Sequence, residues 1–174
     1  GLPVEWLRRS AAAIASVAPR FNAGRMVREY VTRFYLPASA RGQRLLRGDA
    51  ARRLAAWRER VRRTWRDVVV EARLESPDVA RAGEPVVVTA VVTAPGWSAD
   101  ELAVEVVYSR AADALQHRLR TVAMSAASER GGALVYRAEF VPELSGRLAY
   151  GVRVRPVNDM LAHPQDAQAV TWAG

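Results

Sequence analysis

RRLAAWRERVRRTW, residues Arg52 to Trp65, is the stretch on which the reading of this chain turns. Leu54, Trp57, Val61 and Trp65 recur at i, i+3, i+7 and i+11, a spacing that gathers them on one face of an α-helix. Arg52, Arg53, Arg58, Arg60, Arg62 and Arg63 take the rest of the surface, relieved by Glu59. Before this stretch the sequence keeps a helical period, and after Asp67 the period becomes two. The helix is therefore expected to be a strut. Its apolar stripe should be buried, and its six arginines should face solvent or acidic groups outside this sequence.

Working back toward the start, Pro3 suits the first turn of a helix, where a missing N–H is no loss. Trp6, Leu7, Ser10, Ala13, Ile14 and Val17 form its stripe, and Glu5 and Arg9 make an i, i+4 pair. Pro19 closes that helix. Asn22 caps a second one running to about Tyr35, with Met26, Val27, Tyr30, Val31 and Phe34 inside and Glu29 paired with Arg33 outside. Pro37 is expected to stop it, leaving Ala38 to Gly48 as a loop or short irregular helix before Asp49 caps the arginine helix. Trp6, Phe21, Tyr30, Phe34, Tyr35, Trp57 and Trp65 all need cover, too many aromatics for a free-standing helical bundle, so the helical part reads as incomplete by itself.

Working forward, Val68, Val70, Ala72 and Leu74 alternate with Val69, Glu71, Arg73 and Glu75. Val86, Val88, Ala90 and Val92 resume the alternation after a turn at Ala82-Gly83-Glu84-Pro85. Leu102 to Tyr108, Arg118 to Met124, Leu134 to Phe140, Leu148 to Val154 and Ala169 to Trp172 complete the set, broken by Pro95-Gly96, Gly131-Gly132 and Ser145-Gly146. Seven short strands about ten residues apart predict an antiparallel, immunoglobulin-like β-sandwich. Val68, Val70, Val86, Val88, Val104, Val106, Tyr136, Ala138, Tyr150 and Val152 should face inward, with Tyr150 tying a corner. The fold class is thus α+β, divided as residues 1–66, helical, and 67–174, sandwich.

Half of the residues are hydrophobic, enough for a true core, yet no apolar run is long enough to cross a membrane. No secretory leader is visible, and Gly1-Leu2-Pro3 looks like a cut inside a longer protein. The absence of cysteine suits a cytoplasmic protein. The net charge of +8 raises the question of nucleic acid. However, all 26 basic residues are arginine, which points to a compositional preference of the source rather than a surface selected for polyanions. The missing lysine has a chemical consequence: no Schiff base can form on this chain.

Catalytic constellations are scarce. His117 and His163 stand in no metal-ligand or nucleophile–base spacing, and surface structural roles are expected for both. Asp100 and Glu101 are adjacent carboxylates, Asp100 reading as a turn residue. Gly131-Gly132 signals a hairpin rather than a phosphate cradle. No catalytic, cofactor-binding or metal-ligating residue is assigned. Trp97, after Pro95-Gly96, is a candidate for stacking on a glucan ring, with burial as a lid over the sandwich edge as the plainer reading.

One stretch carries a resemblance. WLRRSAAAIASVAPRFNAGRMVREYVTRFYLP, Trp6 to Pro37, is similar to the segment that closes the catalytic part of bacterial α-glucan (glycogen or maltodextrin) phosphorylases, glycosyltransferase family 35. The matching elements are Trp6, Pro19-Phe21-Asn22 and Arg25-Met26-Val27-Arg28-Glu29-Tyr30, ending in Tyr35-Leu36-Pro37. The tryptophans of the arginine helix and the Gly146 to Pro156 stretch resemble the longer bacterial branch. Arg9 stands where that family usually has lysine before Ser10.

The resemblance implies a C-terminal piece, made of crossing helices and an accessory sandwich. The parent enzyme would release glucose 1-phosphate from α-1,4-glucan by phosphorolysis. Its two Rossmann-like lobes and its pyridoxal phosphate would lie upstream, so this piece alone would be inactive. The expected partners are those lobes and, as a candidate, α-glucan; no membrane is expected. The rival readings are a carbohydrate-binding accessory module and, more weakly supported, an arginine-rich nucleic-acid binder.

Overall fold

The computed structural model describes residues 3–77, 79, 81–112 and 119–174. It is α+β, and the chain divides into two compact units, Gly1–Ala51 and Arg52–Gly174.

The first unit is helical. Helix α1 spans Val4–Val17 and α2 spans Ala23–Tyr30. Asn22 caps α2 as its residue type predicts: its Oδ1 accepts the Arg25 N–H at 2.8 Å. The amide of the same side chain donates back to the Ala18 and Pro19 carbonyls, tying the two helices together at the turn. Glu5 pairs with Arg9 at 3.2 Å. Glu29 pairs with Arg25 at 3.5 Å, in place of the expected Arg33.

Pro37 does not stop the helical path. A π-helical segment, Val31–Tyr35, hands the chain to α3, Leu36–Leu45, and Pro37 falls in the first turn of α3. There its missing N–H costs no intrahelical bond, and the wider π turn accommodates the change of register. The stretch 38–48, expected as a loop or short irregular helix, is therefore mostly regular helix, up to Leu45. None of these elements contains a buried residue.

The second unit holds the arginine helix α4, Ala50–Thr64, and eight strands among the described residues. These are β1 Val69–Leu74, β2 Val86–Thr93, β3 Leu102–Arg110, β4 Arg120–Ala123, β5 Ser125–Arg130, β6 Ala133–Phe140, β7 Leu148–Pro156 and β8 Thr171–Trp172. They form two antiparallel four-stranded sheets, ordered β1-β2-β6-β5 and β4-β3-β7-β8.

Strand β5 was not expected. Every one of its residues is exposed, so it carries no alternation from which a strand could be read. Met124, buried between β4 and β5, marks where the chain leaves one sheet for the other; its N–H donates to the Val104 carbonyl at 2.8 Å. The β5–β6 hairpin then turns at Gly131 and Gly132, with φ of 59° and 80°, the left-handed pair that a two-residue hairpin loop requires.

The two sheets share one core. Val88, Ala90, Val92, Tyr136 and Ala138 meet Val104, Val106, Val152 and Val154 across it. The period-two reading thus holds for Val68, Val70, Val88, Val104, Val106, Tyr136, Ala138 and Val152, all buried. Val86 is half-buried, and Tyr150 departs further, at 45 % exposed. Tyr150 has the inward parity of β7. It sits near the start of that strand, where a cleft of about 770 Å³ opens beside Leu74, Val86, Tyr108, Phe140 and Leu148. A corner-tying role passes to no described residue, although the Tyr108 hydroxyl accepts the Glu143 N–H at 3.4 Å.

From Arg52 onward, α4 clusters with the strands, the two compact units dividing at Ala51/Arg52. The reason is its stripe. Val61 and Trp65 join the strand core, and Trp57 packs against it.

Candidate functional site at the tryptophan-capped end

The chemistry-bearing side chains converge where α4 meets the starts of β1 and β3. Three local features deliver them. The α4 stripe brings Trp65 inward. A turn through Pro95-Gly96, with Gly96 at φ 75° and the Trp97 N–H donating to the Ala94 carbonyl at 3.1 Å, swings Trp97 back over the core. A 3₁₀ turn over Ala99–Glu101 is closed by a capping box in which Ser98 and Glu101 exchange hydrogen bonds.

Trp97 is 6 % exposed. Its Nε1–H donates to the Thr64 hydroxyl at 3.1 Å, and its ring meets the Trp65 ring edge-on at 5.4 Å. The Arg60 guanidinium lies over its face, 4.0 Å from the ring centre. No open face remains on which a sugar could stack; the ring closes the end of the β unit.

Arg60 is the residue that sequence reasoning misplaced. The helical pattern places it with the arginines facing solvent or acidic groups outside this sequence, yet it grips both Glu101 oxygens at 2.6 and 2.9 Å and donates to the Gly96 carbonyl. It lies one residue from Val61 and three from Trp57, on the shoulder of the stripe. The length of the side chain lets its stem cover an indole while its head finds a carboxylate. The bidentate hydrogen bond from Arg60 holds the Glu101 carboxyl down to about 2, against the opposing pull of burial and with help from Ser98. The same bond raises the Arg60 pKa above its ordinary value.

A second ion cluster lies on the outer side of β3 and β7. Glu105 accepts from Arg153 at 2.8 Å and from Arg155 at 3.0 Å. Burial favours its neutral form, but the two arginines outweigh it and the pKa is lowered. The Tyr136 hydroxyl donates to the Ala99 carbonyl at 3.3 Å, and burial, followed by the nearby Asp100 charge, pushes its pKa up.

These groups are mutually satisfied, so none is poised as a general base or nucleophile. Asp100 lies in the 3₁₀ turn, as a turn residue should. His163 caps a 3₁₀ turn over Pro164–Ala167, its Nδ1 accepting the Gln165 N–H at 3.2 Å. His117 lies outside the described residues. Among the described residues no group of three or more His, Asp or Glu could hold a metal ion, and no helix is long and apolar enough to cross a membrane. With no lysine anywhere in the chain, nothing here fits covalent attachment of pyridoxal phosphate.

Sequence comparison locates this architecture. The chain is 30 % identical to a glycogen phosphorylase of Mycobacterium tuberculosis over 180 residues, covering 99 % of this chain and 21 % of the relative. A glycogen phosphorylase of Mycobacterium bovis is 29 % identical over the same share. A maltodextrin phosphorylase of Thermococcus litoralis is 30 % identical over 97 % of this chain and 20 % of its own length. The chain thus spans about a fifth of the curated relatives it matches. No solved structure matches it at comparable significance. The family described as Glycogen phosphorylase C-terminal domain matches residues 65–174, from the capping Trp65 through both sheets to the last residue, and the chain belongs to that family.

Proposed function

We propose that this chain is the structural C-terminal part of a cytoplasmic α-glucan phosphorylase. The whole protein would cleave α-1,4-glucan with phosphate, releasing glucose 1-phosphate, on pyridoxal phosphate held upstream. The observation that carries the reading is the uncovered apolar surface of the helical unit. Trp6 is 63 % exposed, Phe21 76 % and Phe34 59 %, a density of bare aromatics that calls for cover. Upstream Rossmann-like lobes, crossed by these helices, are the proposed cover. Residues 52–174 would be an accessory unit that completes itself and adds no reacting group.

An immunoglobulin-like sandwich is the finer description we favour for that unit. The strand orders β1-β2-β6-β5 and β4-β3-β7-β8 support it, since they correspond to an A-B-E-D sheet facing a C′-C-F-G sheet. Glucan binding through Trp97 gains no support from its burial.

The test compares the chain alone with the full-length protein. The full-length protein should release glucose 1-phosphate from glycogen and phosphate and should carry a borohydride-reducible pyridoxal absorbance. The chain alone should show neither. A full-length protein without phosphorolysis, or a chain that binds pyridoxal phosphate stoichiometrically, would overturn the proposal.

A further inference from the structure

Strand β7 is paired along its whole length on one side and only in part on the other. Two backbone bonds fix which way its peptide groups point. The Ala111 N–H donates to the Arg147 carbonyl at 2.9 Å, toward β3, and the Ala173 N–H donates to the Val152 carbonyl at 2.8 Å, toward β8. In an antiparallel ladder the N–H and C=O of one residue point to the same side, and those of the next residue to the other. Odd-numbered residues of β7 therefore bond to β3, and even-numbered residues face the line of β8. Strand β8 pairs with Arg153 and Val154, and Ala173 extends the contact to Val152. Among the described residues no strand pairs with Leu148 or Tyr150 on that side, which leaves their N–H and C=O groups as a free edge.

Two further observations meet at the same edge. First, Leu148-Ala149-Tyr150-Gly151 contains no proline and no charge, and its pairing with β3 is free of bulges, so none of the usual devices blunts it. Second, the cleft of about 770 Å³ opens beside it, with Leu148 and Tyr150 on one wall and Leu74 and Val86 of the other sheet opposite. A row of unpaired backbone donors and acceptors thus runs along an apolar pocket.

The charges at the rim narrow the choice of occupant. Glu84 and Glu143 both line the cleft, but Glu84 accepts the Arg81 N–H at 2.9 Å and Glu143 pairs with Arg120 at 3.2 Å. The guanidinium groups of Arg81 and Arg147, on the same rim, have no acidic partner among the described residues. The unanswered charge is positive.

We infer that the free edge of β7 takes an extended peptide segment of a partner protein, added as an antiparallel strand in line with β8, with an apolar side chain in the cleft and a carboxylate near Arg147. The register follows from β8. Thr171 lies opposite Val154 and Ala173 bonds to Val152, so the next two places in the series fall opposite Tyr150 and Leu148. In this mode main-chain bonds supply affinity and the pocket for alternate side chains supplies specificity. The inference is independent of the reaction that the whole protein performs.

The probe is an end-blocked hexapeptide of alternating valine and threonine with glutamate at its C-terminal end, titrated calorimetrically into the 174-residue chain and into the full-length protein. Binding should be saturable in both. In the free chain the Leu148 and Tyr150 amides should exchange faster than those of Ala149 and Gly151, and peptide should slow them. N-methylation of the peptide amides that face β7 should weaken binding at least about tenfold, whereas methylation of the alternate amides should not. Tyr150→Pro removes an edge donor that the ladder to β3 does not use, and should weaken binding several-fold while circular dichroism shows the β unit intact. No saturable binding, equal affinity for the two methylated peptides, or unchanged exchange at Leu148 and Tyr150 would overturn the inference. Slow exchange of those amides in the full-length protein without peptide would assign the edge to another part of the same protein. A concentration-dependent dimer that protects them would assign it to a second copy. Either result would overturn the partner peptide.

Discussion

The helical and β units handle their aromatic residues in opposite ways. In residues 1–51 the rings of Trp6, Phe21, Tyr30, Phe34 and Tyr35 are all about half exposed or more. In residues 52–174, Trp65 and Trp97 are sealed edge to face under Arg60, and Tyr136 is 2 % exposed. Composition does not separate the two, for both are rich in apolar residues. The difference is closure. Two sheets facing one another bury the inward half of every strand, whereas a helix–turn–helix of this length has no second layer to press against. A β unit that completes itself can sit at the end of a protein, while a helical segment that does not must lean on something else.

Breaking the better-closed side should cost most. Val104→Asp places an unpaired carboxylate in a position that is 2 % exposed and should destabilise the β unit by more than about 4 kcal/mol, enough to unfold it. The matched change Val27→Asp, at a position 54 % exposed in the helical unit, should leave the main thermal transition of the chain where it was. Calorimetry of the two variants measures the contrast directly.

Next in size is the capping ring. Trp97→Ala removes a buried indole, its hydrogen bond to Thr64 and its contacts with Trp65 and Arg60. A loss of about 3 kcal/mol is expected by denaturant titration. Trp6→Ala, with the ring already 63 % exposed, should change stability little.

A smaller effect should appear in acid. The Glu101 carboxyl is held at about 2 by Arg60, below its ordinary 4.5, so folding favours its charged form. The resulting stability is fully present above about pH 4.5 and disappears as pH falls toward 2. Solvent screening of a pair that is about one-third exposed reduces it to about 1–2 kcal/mol. Glu101→Gln should flatten that part of the stability–pH curve; an unchanged curve would mean that the pair contributes nothing. Arg62→Ala and Arg63→Ala mark the low end. Both arginines are exposed, and each change should cost less than about 0.5 kcal/mol.

What the sequence made legible follows the same division. Alternation placed β1, β2, β3, β6 and β7, because a half-buried strand writes its geometry into every second residue. Strand β5 left no such trace, since both of its faces meet solvent. Helix α3 was hidden by Pro37, whose effect depends on whether it stands inside a helix or in its first turn, and a π segment decided that. The arginine helix was readable as a stripe, but not the exception within it. Arg60 differs from its neighbours only through Glu101, 41 residues away, and nothing local announces that contact.

Amide hydrogen exchange on this chain tests most directly the claim that one unit is complete and the other is not. The account predicts slow, cooperative exchange across β1, β2, β3, β6 and β7 and fast exchange through α1, α2 and α3, with those helices becoming protected in the full-length protein. Helices α1–α3 protected to the same degree as the central strands in the chain alone would contradict it.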